Sequence, residues 1–90
     1  MSFVTLWDVD ISSPAQEDLN LIQAHYPKLI DHWEGNLWFF KKRPRDSAII
    51  IKEGYYLKQT TSDLELPDYT VFYSVDDDSK TVEIISVKLL

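Results

Sequence analysis

The chain has 90 residues, 44% apolar and 13% aromatic, with a formal net charge of −6. That length supports one domain, residues 1–90, around a single modest core, with no room for a second. There is no Cys, which excludes disulfides and thiolate chemistry, and the acidity argues against general attraction to a phosphate backbone, where Lys and Arg must replace condensed counterions. Lys41, Lys42, Arg43 and Arg45 hold four of the nine basic residues; the other five face fifteen acidic ones, a balance that favours a basic partner. No apolar run approaches the ~20 residues needed to span a bilayer. No basic region precedes an apolar stretch with a small-residue cleavage site, so the expected compartment is the cytoplasm.

The first predicted element is a strand from Phe3 to Ile11. Trp7, Val9 and Ile11 alternate with Asp8 and Asp10. Ser12-Ser13-Pro14 then signals a helix start, with Ser13 as N-cap, Pro14 at the first helical position, Gln16 at the third as in a capping box, and Glu17-Asp18 in the first turn. Ala15, Leu19, Ile22 and Tyr26 form its apolar stripe, and Pro27 ends it or starts the next helix. A second helix is expected from about Lys28 to Lys42, with Leu29, Ile30, Trp33, Leu37 and Phe40 on the apolar face. Gly35-Asn36 is its weak point and a candidate kink. Trp38 and Phe39 extend the apolar run beyond what one helix face can bury, so they are the candidate exposed patch for a partner.

After Pro44 the period changes. Ala48 to Ile51 is short and β-branched, and Gly54 separates it from Tyr55–Gln59. Thr60 to Pro67 reads as a loop, since Pro67 cannot continue a central ladder. The last third is a hairpin. Tyr69, Val71, Tyr73 and Val75 fall on one face, Thr70, Phe72, Ser74 and Asp76 on the other. Asp76-Asp77-Asp78-Ser79 makes the turn, and Val82 and Ile84 alternate with Thr81, Glu83 and Ile85 on the return. The fold class is α+β: an N-terminal strand, a helical hairpin, then an antiparallel sheet, in the order β-α-α-β-β-β.

Several side chains invite a sharper chemical reading. His25 and His32 carry the side-chain type suited to acid–base work, but no Ser, Cys or third His stands in matching spacing, so helix-surface or structural roles account for them. Asp76-Asp77-Asp78 lacks the Gly and distal Glu of a calcium loop, and no metal is expected there. Asp8 and Asp10 are accounted for as solvated positions on a half-buried strand. The run Lys41, Lys42, Arg43, Arg45 is a candidate nucleic-acid contact, although it also complements the negative end of the second helix.

In their order, these segments resemble the RelE/ParE superfamily of toxins from bacterial toxin–antitoxin modules, including the plasmid-stabilisation type. The likeness spans nearly the whole chain. It rests on Ser13-Pro14-Ala15 with Asp18-Leu19 and Ile22, on Arg43-Pro44-Arg45, on Gly54-Tyr55-Tyr56-Leu57-Lys58, on Asp68-Tyr69 with Val71 to Asp77, and on Val82 to Val87. The resemblance implies a cognate antitoxin as partner, the ribosome or DNA gyrase as target, and no cofactor.

Ribonucleases of that family cut messenger RNA on the ribosome with basic sheet residues that activate a 2′-hydroxyl and stabilise the phosphorane. By resemblance, Lys58, Lys52 and Lys88 are the catalytic candidates. The chain departs from the pattern where Thr70 follows Tyr69 in place of the common Arg, and where Ser86-Val87-Lys88-Leu89-Leu90 lacks the usual Gly and terminal Arg. Three functions are therefore in play: a toxin acting by protein contact with weak or no ribonuclease activity, a ribosome-dependent endoribonuclease, and a non-toxic interaction domain of the same fold.

Overall fold

The computed structural model describes residues 6–60 and 65–90. In chain order the elements are β1 (Asp8–Ile11), α1 (Ser13–His25), α2 (Pro27–Lys42), β2 (Ile49–Lys52), β3 (Tyr55–Thr60), β4 (Tyr69–Asp76) and β5 (Thr81–Leu89). Of the expected first strand, Phe3 and Val4 lie outside the described residues, as do residues 61–64 of the loop expected from Thr60, itself the last residue of β3.

The alternation in β4 is obeyed throughout: Tyr69, Val71, Tyr73 and Val75 are buried and the residues between them are not. On β5, Val82 and Ile84 continue that inner face. A bulge opposite Phe72 and Tyr73 then inserts one extra residue, so Val87 turns inward instead of Ser86. The hairpin turn is held by Asp76, whose carboxylate accepts from the Asp78 and Ser79 amides at 3.0 and 3.4 Å. Lys80 takes a left-handed φ of 55° to close it.

The sheet corrects the expected β-α-α-β-β-β order. Among the described residues four strands follow the helices, and all five form one sheet in the order β1-β5-β4-β3-β2. It is mixed, because β1 runs parallel to β5 in register Asp8–Thr81 to Ile11–Ile84. No local pattern announces this pairing; the helical hairpin carries the chain across one face, so β1 and the returning strands meet side by side. Both helices cover that face. Ala15, Leu19 and Ile22 from α1 and Leu29, Trp33 and Phe40 from α2 pack with the inner residues of β4 and β5.

The start of α1 also differs from expectation. The N-cap is Ser12, whose Oγ accepts from the Ala15 amide at 3.3 Å, so Ser13 is already helical. Gln16 is then past the capping-box position and donates to Asn20 at 3.1 Å, while Glu17 and Asp18 leave the first turn. The reason is tertiary. Ser12 also donates from its amide to the Ile84 carbonyl (3.0 Å) and from its hydroxyl to the Ile85 carbonyl (3.1 Å), which pins it to β5 where β1 ends. Asp18 continues the task, accepting from the Val87 amide at 3.0 Å and pairing with Lys88 at 2.8 Å. Two side chains thus satisfy a stretch of β5 that, among the described residues, β1 no longer covers. Asp18→Ala would leave the Val87 amide without its partner. We expect a loss of about 1–3 kcal/mol in urea unfolding; a change within experimental scatter would contradict this role.

Pro27 opens α2, which runs as one helix through the Gly35-Asn36 weak point. A Cβ built on Gly35 meets nothing within 4 Å. Gly35→Ala therefore removes only a helix-entropy penalty, and should raise stability by about 1 kcal/mol. An unchanged or lower urea midpoint would show that the position is not ordinary exposed helix.

Candidate functional site

Strand register decides where each candidate side chain goes. Lys58 pairs with Val71, so it shares the inner, helix-facing side of the sheet with that buried residue. Its ammonium lies 5.2 Å from the Phe40 ring centroid and 6.0 Å from that of Phe39. Burial lowers the Lys58 pKa, with the Asp46 charge opposing that shift. Lys52 pairs with Tyr55 at the far end of β2 and sits 4.5 Å over the Tyr55 ring, on the outer side of the sheet. Lys88, on β5, is committed to Asp18. The three lysines expected to act together are therefore not brought together: one faces the helices, one the open sheet face, and one is bound at an edge.

The basic run at the end of α2 also divides. Lys41, Lys42 and Arg43 are exposed, Lys42 lying 5.4 Å over Trp38, and the Arg43 amide caps the helix through the Phe39 carbonyl at 2.7 Å. Arg45 folds the other way. It pairs with Asp77 at 2.6 Å, donates to the Tyr56 hydroxyl at 2.8 Å, and lies 5.5 Å from the Trp7 ring. The bond to Asp77, then that to Tyr56, raises its pKa, and the same contact with Arg45 holds the Asp77 carboxyl below the usual range. Beside it the buried Tyr73 hydroxyl donates to the Pro44 carbonyl. Arg45 is thus part of the strap that fastens the α2–β2 connection to the sheet, and not part of a continuous basic patch.

Trp38 and Phe39 are 50% and 55% exposed on α2, as the apolar run required. His25 is exposed and its Nδ1 meets the Leu21 carbonyl at 3.0 Å. His32 is half-buried, 3.1 Å from the Tyr69 hydroxyl, which also accepts from Asn36. These contacts give His32 a structural place beneath α2, away from the open sheet face.

Two features were missed in the sequence. The outer sheet face carries a stacked pair, Tyr55 and Phe72, with centroids 5.9 Å apart. Thr70 and Ser74 flank Phe72 along β4 there, and Lys52 sits over the Tyr55 ring of the pair. Alternation along β4 places Phe72 on this face from the sequence alone; its stacking on Tyr55 follows only from the β3–β4 register. The second is β2 itself, whose residues are all exposed although Ile49-Ile50-Ile51 is apolar throughout. An edge position beyond the reach of α2 is the cause, and only the strand order reveals it.

Chemically, the arrangement offers extensive apolar contact and few converging charges. No family model matches the chain, and no curated protein matches it. Among solved structures it is similar to a chain of the toxin–antitoxin complex RelBE2 from Mycobacterium tuberculosis. The two share 17% sequence identity over 100% of this chain and 98% of that one, with a TM-score of 0.76. At that identity the likeness establishes a shared fold.

Proposed function

We propose that this chain is a RelE/ParE-like toxin of a bacterial toxin–antitoxin module, of the plasmid-stabilisation type, acting by protein contact with weak or no ribonuclease activity. The full-length fold match to a chain of a toxin–antitoxin complex is the observation that carries this reading. The dispersal of Lys52, Lys58 and Lys88 supports the absence of efficient cleavage. A phosphorane needs preorganised positive charge converging on one point, and these side chains diverge. Its partner is a cognate antitoxin that covers Trp38 and Phe39, and its target is a protein assembly such as the ribosome or DNA gyrase. No helix among the described residues is long and apolar enough to cross a membrane, which accords with action in the cytoplasm.

The test is induced expression without any partner, followed by mapping of transcript ends on ribosomes. Growth arrest with intact transcripts is the expected result. Codon-positioned cuts abolished by Lys58→Ala would restore the ribonuclease, and no phenotype at all would favour the non-toxic interaction domain. With an antitoxin co-expressed, Trp38→Ala together with Phe39→Ala should weaken the co-purified complex.

A further inference from the structure

The sheet ends in two edges that are managed differently. β1 is short and carries exposed Asp8 and Asp10, charges that discourage a further strand. β2 is equally short, its ladder shifts register between Ile50 and Lys52 and it ends in a lysine, but its centre is apolar: Ile49, Ile50 and Ile51 are 59%, 70% and 52% exposed. β2 is the last strand on its side, and its only ladder among the described residues is to β3. An uncovered, β-branched edge is a template for strand addition, with backbone hydrogen bonds giving affinity and alternate side chains giving selectivity.

Charge lies at both ends of this edge. Lys52 closes β2. At its start, Lys58 lies near Asp46, and Lys42 and Arg43 stand with Phe39 and Asp46 around a depression of about 270 Å³. Lys42, Arg43, Lys52 and Lys58, four of the nine basic residues of an acidic chain, lie along this flank, while Lys41 turns toward the opposite edge beside β1. The net charge of −6 favours basic partners elsewhere on the molecule; this flank is the exception.

We propose that the free edge of β2 is the docking site for an extended protein segment with a β-branched apolar centre and acidic ends, added to the sheet as a sixth strand. This deepens the partner reading above and rests on it only for the partner's identity as an antitoxin. A second copy of the chain fits less well. Two-fold antiparallel pairing of β2 with itself would set Lys52 of one copy against the cations at the start of the other's strand. A nucleic acid would leave the three isoleucines uncovered.

The test uses the full chain and three probes: a synthetic peptide with Val/Ile/Thr at its centre and Asp/Glu at both ends, its Lys-ended counterpart, and a single-stranded RNA oligonucleotide. Fluorescence anisotropy should show the acid-ended peptide binding at least about tenfold tighter than the Lys-ended one. Amide exchange should slow within Ile49–Lys52 on binding. Ile50→Lys should weaken that affinity about tenfold, and Ile50→Thr, which keeps strand propensity, should weaken it less. Equal affinity for the two peptides, protection elsewhere, displacement by the RNA, or self-association abolished by Ile50→Lys would each overturn the proposal. Binding at β2 in a protein that arrests no growth supports this surface and counts only against the toxin reading. Growth arrest with β2 unprotected overturns the surface alone.

Discussion

Phe40→Ala should be the most damaging single substitution on α2, lowering stability by about 3–5 kcal/mol. Phe40 is 1% exposed and sits where the last turns of α2 meet the sheet. Its ring lies edge-on to Tyr73 at 4.8 Å and tilted to Trp33 at 6.3 Å, and it is the nearest aromatic face to the Lys58 ammonium. Truncation would remove the ring from every one of these contacts and leave a cavity between helix and sheet, which the rigid β4 backbone cannot close. Domains of this size are stable by only about 5–15 kcal/mol, so the loss is a large fraction of the whole. Urea unfolding followed by Trp fluorescence measures it directly, since Trp33 reports on the same contact. A much lower midpoint with an unchanged slope is expected, and Phe40→Leu should recover part of the loss. A loss under about 1 kcal/mol would mean that α2 is not anchored through this ring.

The parts of this fold that could be read from the sequence are those fixed by local periodicity. The inner face of β4 was legible because polar and apolar residues alternate without exception, and the turn because Asp76 is suited to cap it. The helix faces were legible for the same reason, down to the surplus of Trp38 and Phe39, except at Tyr26, which was expected in the apolar stripe of α1 but is its C-cap and 38% exposed. What failed depended on contacts remote in sequence. Ser12 and Ser13 are equivalent as local caps; hydrogen bonds to Ile84 and Ile85, more than 70 residues away, choose the first. The bulge on β5 falls among apolar Ile84 and Ile85, where alternation carries no information. The parallel neighbour of β5 could not be inferred from either strand alone.

The candidate site was less legible than the fold. Tyr55-Tyr56-Leu57 is apolar throughout, so the face of the following Lys58 could not be assigned until its pairing with Val71 was known. That one register turns a presumed substrate-facing lysine toward Phe40 and Phe39. Likewise, Arg45 belongs to the basic run in sequence but to Asp77 and Tyr56 in space. Charge type is legible in a sequence; convergence of charge is not, and catalysis depends on convergence.

Alkaline pH should unfold this protein through two buried phenols. Burial pushes the Tyr69 pKa up to about 12, the hydrogen bond from Asn36 offsetting only part of it. Burial pushes Tyr73 higher still, with the nearby Tyr56 adding to the shift and Arg45 opposing it. In the unfolded chain both groups titrate near ~10. A phenol with a raised folded pKa keeps its proton in the native state after the unfolded state has released it. Their contribution is therefore complete below pH ~10 and is lost as pH rises through the window from about 10 to 12. At ~1.36 kcal/mol per pK unit, Tyr69 alone withdraws about 2–3 kcal/mol by the top of that window, and Tyr73 withdraws at least as much again if driven to ionise. Urea midpoints taken at rising pH should fall steeply there, and the phenolate absorbance of these two residues should grow in step with the loss of folded signal. Tyr69→Phe would start from lower stability, because Asn36 and His32 lose their shared partner. Its midpoint should nevertheless fall less steeply with pH, since one of the two linked protons is gone. Ionisation of both phenols with the near-ultraviolet signature of the fold intact would show that neither is held in the apolar interior between α2 and β4.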